Sequence, residues 1–67
     1  MKRFIKLQQI VDSNGPARDI WVNPELIETM YEKSMIRIGR PAQCLMIEFG
    51  RQRITVLIDR SAKNLMD

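Results

Sequence analysis

The sequence predicts an α+β domain with two β-hairpins, a short central helix and a C-terminal helical turn. Apolar and polar residues alternate on both sides of two stretches rich in turn formers, which is typical of hairpins. A helix-start motif separates these stretches, and a serine precedes a short apolar segment at the end. With 67 residues, the chain is expected to form one small domain, residues 1–67.

The first hairpin is predicted around an Asn-Gly turn. Residues 4–11 alternate loosely, and the following stretch, 12–16, is dense in turn formers. Asn14 and Gly15 tolerate the positive φ that hairpin turns require. Residues 19–22 then predict a returning strand of β-favouring residues. If Ile20 and Val22 face the core, Trp21 faces outward.

The central helix is predicted from Asn23-Pro24-Glu25. Asn caps free amides, Pro fits the first helical position, and Glu complements the helix dipole. Four apolar residues then form one stripe at helical spacing: Leu26, Ile27, Met30 and Tyr31. A competing interpretation makes residues 25–31 extended, because Ile27 and Thr29 are β-branched. The helix is favoured.

Residues 34–43 are predicted to form a loop containing Gly39 and Pro41, although 35–38 could form a short strand. The strands predicted most clearly are 44–49 and 53–58, joined at 50–52.

Cys44, Met46 and Leu57 make the second face of this hairpin apolar as well. A chain this short has little else with which to cover two faces, so we expect a homo-oligomer. Ser61 is predicted to cap a last helical turn, 62–66.

The composition argues against catalysis. There is no His, and Cys44 is the only cysteine, which excludes an intrachain disulfide and a Cys/His metal site. Cys44 lies in an apolar run and is expected to be a buried packing residue rather than a nucleophile. We therefore expect no enzyme activity, no cofactor and no metal. One unpaired cysteine fits a reducing compartment, so the cytoplasm is predicted, and no apolar run approaches the roughly 18 residues of a membrane span.

Arginine is concentrated in residues 36–53, which contain four Arg and one Glu. Its planar guanidinium suits phosphate recognition and stacking. The candidate ligand-binding residues are Arg37, Arg40, Arg51, Arg53 and Trp21. If loop and hairpin turn meet, within or between subunits, the four guanidinium groups define an anion site, and Trp21 offers a base-stacking platform. Folding is not expected to need these arginines, with about 0.5 kcal/mol or less lost per replacement.

Several stretches together resemble the small flagellar FlbD (SwrD) family. They are Asn14-Gly15, the run from Trp21 to Glu28, Met46 to Gly50, Arg53 to Val56, and the end from Ser61 to Leu65. Relative to that pattern, the Arg-bearing segment 33–43 is similar to an insertion. The resemblance implies a β-rich, non-catalytic protein and no active-site residues.

The predicted function is that of a non-enzymatic homo-oligomeric binding protein. One form is a phage-type inhibitor or sponge that captures an anionic, nucleotide-like ligand at Arg-lined subunit contacts. The alternatives are a flagellar accessory module that binds protein, and a small RNA- or DNA-binding protein whose affinity falls steeply with salt.

Overall fold

A computed structural model describes residues 4–67 and shows five strands and one helix in that range. The strands are β1 (Ile5–Gln9), β2 (Arg18–Val22), β3 (Thr29–Arg37), β4 (Arg40–Phe49) and β5 (Gln52–Leu57), followed by helix α1 (Arg60–Met66). They form one antiparallel sheet in the order β2-β1-β5-β4-β3. Residues 1–3 of the expected domain lie outside the described range.

The predicted α+β class is wrong: the described chain is mainly β, with 55% strand and no central helix. The cap at Asn23 is real, since its side chain accepts from the amide of Glu25. It closes only a 3₁₀ turn, Pro24–Leu26, because Met30 and Tyr31 pair with β4 instead. The extended interpretation is correct from Thr29 onward.

The predicted loop at 34–43 is also wrong, because β3 and β4 form one long hairpin through this region. The two strands close on Arg37 opposite Arg40, with Ile38 and Gly39 as the two-residue turn. Both turn residues have positive φ, 51° and 71°, as expected for the turn whose twist matches the strands. Asn14 and Gly15 do lie between β1 and β2, as predicted, but Gly15 lacks a positive φ, so the predicted turn geometry is wrong there.

Pro41 fits inside β4 because of its place in the ladder. In a two-residue hairpin the closing pair exchanges both hydrogen bonds, so the next pair, Ile36 and Pro41, exchanges none. The nitrogen of Pro41 therefore points towards the β5 side. On that side β5 ends at Leu57, opposite Cys44, so an N–H at position 41 would have no strand partner. Proline, which has no N–H, therefore costs no ladder bond there.

The main hydrophobic cluster lies on one face of a curled sheet, while Cys44 and Met46, which point to the opposite face of β4, are also buried within the single chain. Val22 on the edge strand β2 packs in the same buried cluster as Leu45 and Ile47 on β4. Since β1 and β5 separate these strands in the sheet, the sheet must bend to bring them together. The remaining buried members of the cluster are Leu7, Ile54, Val56 and Ala62. The last of these comes from α1, which covers this face.

The two predicted hairpin pairings, β1 with β2 and β4 with β5, are confirmed, and the terminal helix is present. Its cap is Asp59 rather than Ser61: the Asp59 carboxylate accepts from the amide of Ala62 at 2.9 Å. Between β5 and α1, the amide of Asp59 donates to the carbonyl oxygen of Leu57 at 3.1 Å. This tight turn directs the chain from the strand into the helix.

Candidate functional site

The tip of the β3–β4 hairpin carries a cleft with two arginines, here called the tip cleft. It has a volume of about 430 Å³. Its lining residues are Arg37, Ile38, Arg40, Pro41, Ala42 and Leu57. The register places Arg37 directly opposite Arg40, so both guanidinium groups emerge on one face of the sheet. The tip cleft thus combines two cations with four apolar side chains.

Arg37 is held in place by the loop between β1 and β2. Its Nη1 donates to the carbonyl oxygen of Gly15 at 2.7 Å and lies 3.4 Å from that of Ser13. The amide of Ile38 donates to Oδ1 of Asn14 at 3.1 Å. Asn14 is itself oriented by Asp12, whose Oδ1 accepts from the Asn14 amide at 3.1 Å. The turn-forming stretch 12–16 therefore fixes the hairpin tip.

A second cleft, here called the turn cleft, lies at the β4–β5 turn. Its volume is about 250 Å³, and its lining residues are Glu48, Gly50, Arg51, Gln52 and Arg53. Nε of Arg53 lies 3.1 Å from Oε2 of Glu48, and the hydroxyl of Tyr31 donates to the same oxygen at 3.3 Å. This acidic partner offsets one of the two cations. The turn cleft is consequently the less favourable anion site.

The structure separates the four arginines into two pairs. Arg37 and Arg40 lie at one end of β4, and Arg51 and Arg53 lie at its other end, with Arg53 opposite Glu48. The ten residues of β4 span roughly 30 Å at about 3.3 Å per residue. One small ligand cannot touch all four within a single chain.

Trp21 faces outward, as its neighbours predicted. Its side chain is 63% exposed, while Val22 is buried and Ile20 packs against the core. It lies on β2, which forms one edge of the sheet while β3 forms the other. It lines neither arginine cleft. The structure therefore does not bring Trp21 to the guanidinium groups.

Cys44 is buried, with 1% of its surface exposed. Burial raises the pKa of its thiol, and the nearby charge of Arg37 acts in the opposite direction. A thiol that resists ionisation is a poor nucleophile, which agrees with the packing role expected for it.

The tip cleft stands out electrostatically. Among residues 4–67, the only ion pair within 4.0 Å is that of Arg53, so neither Arg37 nor Arg40 has a carboxylate within that distance. No group of three or more His, Cys, Asp or Glu in that range is placed to hold a metal. No described helix is long and apolar enough to cross a membrane.

Sequence reasoning named the arginines of the tip cleft but missed its apolar part. Leu57 comes from the neighbouring strand β5, and its place beside Ala42 follows from a register that no local pattern reveals. Asn14 was assigned to a turn of its own, whereas it supports the tip. An Asp two residues before an Asn is the local signal that could have indicated an ordered loop.

Comparison with family models, with curated proteins and with solved structures gives no match. The resemblance to the FlbD family stays a prediction.

Proposed function

We propose that the chain is a non-enzymatic binding protein that captures an anionic, nucleotide-like ligand and acts as a homo-oligomer. The observation that carries the proposal is the tip cleft, where Arg37 and Arg40 stand beside Ile38, Pro41, Ala42 and Leu57. Guanidinium groups bind phosphate oxygens through paired N–H donors. The apolar side chains supply the kind of surface on which a base or sugar packs.

The size of the cleft supports a small ligand. Small-molecule sites commonly enclose about 300–1,000 Å³, and the tip cleft lies within that range. Arg37 keeps Nη1 on the loop carbonyls, which leaves its other N–H groups for a ligand. Because its guanidinium is already immobilised, ligand binding costs little further side-chain entropy.

Self-association is supported by exposed apolar residues on the long hairpin. Ile36 on β3 is 63% exposed, and Ile38 in the β3–β4 turn is 69% exposed. Met30 and Tyr31, also on β3, are partly exposed. Large apolar side chains grouped on one element favour a protein contact.

Calorimetric titration with ATP, using adenosine as the uncharged comparison, tests the capture proposal. Arg40→Ala should weaken ATP binding about tenfold or more, since a charge-assisted contact contributes roughly 1.5–3 kcal/mol. Arg60→Ala removes the same charge from an exposed position on α1, outside both arginine clefts, and should bind as the parent does. Equal affinity of the Arg40→Ala and Arg60→Ala proteins, or equal affinity for ATP and adenosine, would refute the proposal.

A second candidate is binding of single-stranded nucleic acid. It is favoured by the two arginine pairs at opposite ends of β4, roughly 30 Å apart, because a polyanion can contact both where a nucleotide cannot. An oligonucleotide of thymidines should then bind with an affinity that falls steeply between about 50 and 200 mM salt. Both Arg40→Ala and Arg51→Ala should weaken oligonucleotide binding, whereas nucleotide capture at the tip cleft should be weakened by Arg40→Ala and not by Arg51→Ala.

A further inference from the structure

Strand β3 has a free hydrogen-bonding edge. It pairs with β4 along one edge, and because it is the last strand of the sheet, no described strand pairs with its other edge. The closing pair of the hairpin, Arg37 with Arg40, exchanges two backbone hydrogen bonds. Hydrogen-bonded positions alternate along an antiparallel pair, so Met35, Lys33 and Tyr31 also bond to β4. The alternate residues direct their N–H and C=O groups outward: Met30, Glu32, Ser34 and Ile36.

We propose that this edge pairs antiparallel with β3 of a second copy, about a two-fold axis at Lys33. The inference deepens the self-association in the proposed function by naming the surface and the partner. The four outward residues are symmetric about Lys33. In this register Met30 therefore meets Ile36 of the second copy and Glu32 meets its Ser34, each pair exchanging two hydrogen bonds.

The side chains fit the same register. Met30 and Ile36, which are 37% and 63% exposed, become cross-strand neighbours on the core face. Tyr31, 41% exposed, meets Met35 of the second copy on the other face. Aromatic and apolar cross-strand pairs are the contacts that stabilise antiparallel sheets.

Of the features that keep edge strands apart, β3 carries charged side chains but lacks short length and proline. Edge strands that are protected against pairing are often short or contain proline, whereas β3 is nine residues long and contains no proline. Lys33 does oppose pairing, because it meets its own copy across the axis. Moving the axis to Glu32 sets two carboxylates face to face, and moving it to Ser34 sets Glu32 against Ile36 and loses a bonded pair. The Lys33-centred register keeps the most bonds.

Pairing of this kind would bring the two arginine clefts of different copies towards each other. Thr29, opposite Glu48 in β4, would face Arg37 of the second copy. Arg53 is in turn opposite Glu48. Three strand spacings, about 14 Å, then separate Arg53 from Arg37 of the second copy, on one face. Arginines that lie at opposite ends of one chain would meet at the subunit contact.

Disulfide trapping tests the register. Lys33→Cys places two thiols opposite each other in a non-hydrogen-bonded pair with Cα atoms about 4.5 Å apart, within disulfide range. Ser34→Cys is the matched control on the same strand, since its own copy lies about 8 Å away. Cys44 lies directly opposite Lys33 in β4 and could form an intrachain disulfide with a thiol at that position. Cys44→Ala is therefore introduced into both variants and into the parent used beside them. After mild oxidation, Lys33→Cys should run as a covalent dimer on a non-reducing gel, while Ser34→Cys and the parent should not.

Sedimentation equilibrium of the parent separates this inference from the wider proposal. Absence of the Lys33→Cys dimer, or equal trapping of Ser34→Cys, overturns the β3 pairing even if the parent is oligomeric. An oligomeric parent in that case leaves homo-oligomerisation standing through another surface. A parent that sediments as a 7.9 kDa monomer at the concentrations used for trapping overturns both. Ligand capture at Arg40 is decided separately by the ATP titration.

Discussion

Replacing Arg37 tests whether the hairpin tip is held by the loop between β1 and β2. Its contact with the carbonyl oxygen of Gly15 is short, 2.7 Å, and partly buried. Hydrogen bonds from charged donors contribute about 1.5–3 kcal/mol, and solvent access to the loop places this one near the lower end. Arg37→Ala should therefore lower the free energy of unfolding by about 1.5 kcal/mol. For a domain of this size, that corresponds to a fall in Tm of roughly 6–12 °C by thermal circular dichroism.

Arg40→Ala is the matched control for that measurement. Arg40 stands opposite Arg37 and is exposed, and among residues 4–67 its side chain has neither a hydrogen bond nor an ion pair. Its replacement should change the free energy of unfolding by about 0.5 kcal/mol or less. If both variants melted at the same temperature, Arg37 would not support the tip. The expectation from sequence, that no arginine matters for folding, would then stand for Arg37 as well.

Two further substitutions test local structure by thermal unfolding. Ile38 is β-branched yet adopts φ of 51°, so Ile38→Asn should raise the free energy of unfolding by about 1 kcal/mol; a lower Tm would contradict the turn geometry. Asp59→Ala should cost about 1 kcal/mol because it removes the cap of α1, whereas Ser61→Ala should be nearly neutral. The reverse order would restore Ser61 as the cap.

The sequence predicted the strands whose patterns are local. Residues 44–49 and 53–58 combine alternation with a Gly turn. They correspond to the second part of β4 and, within one residue at each end, to β5. Trp21 was placed outward correctly for the same reason, since Ile20 and Val22 flank it on a two-residue period.

The central helix failed because a local cap signal competes with a non-local pairing. Asn23 and Pro24 favour the start of a helical turn on local grounds, but Thr29 to Arg37 gain a ladder of bonds to β4 only in the folded chain. The turn at Ile38 and Gly39 was missed for a related reason. A β-branched residue disfavours positive φ, and only the long hairpin around it imposes that conformation.

The site was predicted by residue type but not by arrangement. Arg37 and Arg40 were named from composition, and their facing positions follow from a two-residue turn that the sequence obscures. The contact between Arg37 and Gly15 joins residues 22 positions apart, and no local pattern indicates it.

Amide chemical-shift mapping with ATP tests the central claim, anion capture at the tip cleft, most directly. The largest shifts should fall on Arg37 to Arg40, on Ala42 and on Leu57, which line the cleft or its turn. Smaller shifts should extend to Asn14 and Gly15, which hold the tip. Shifts confined to Gly50 through Arg53, or no shifts at all, would contradict the account.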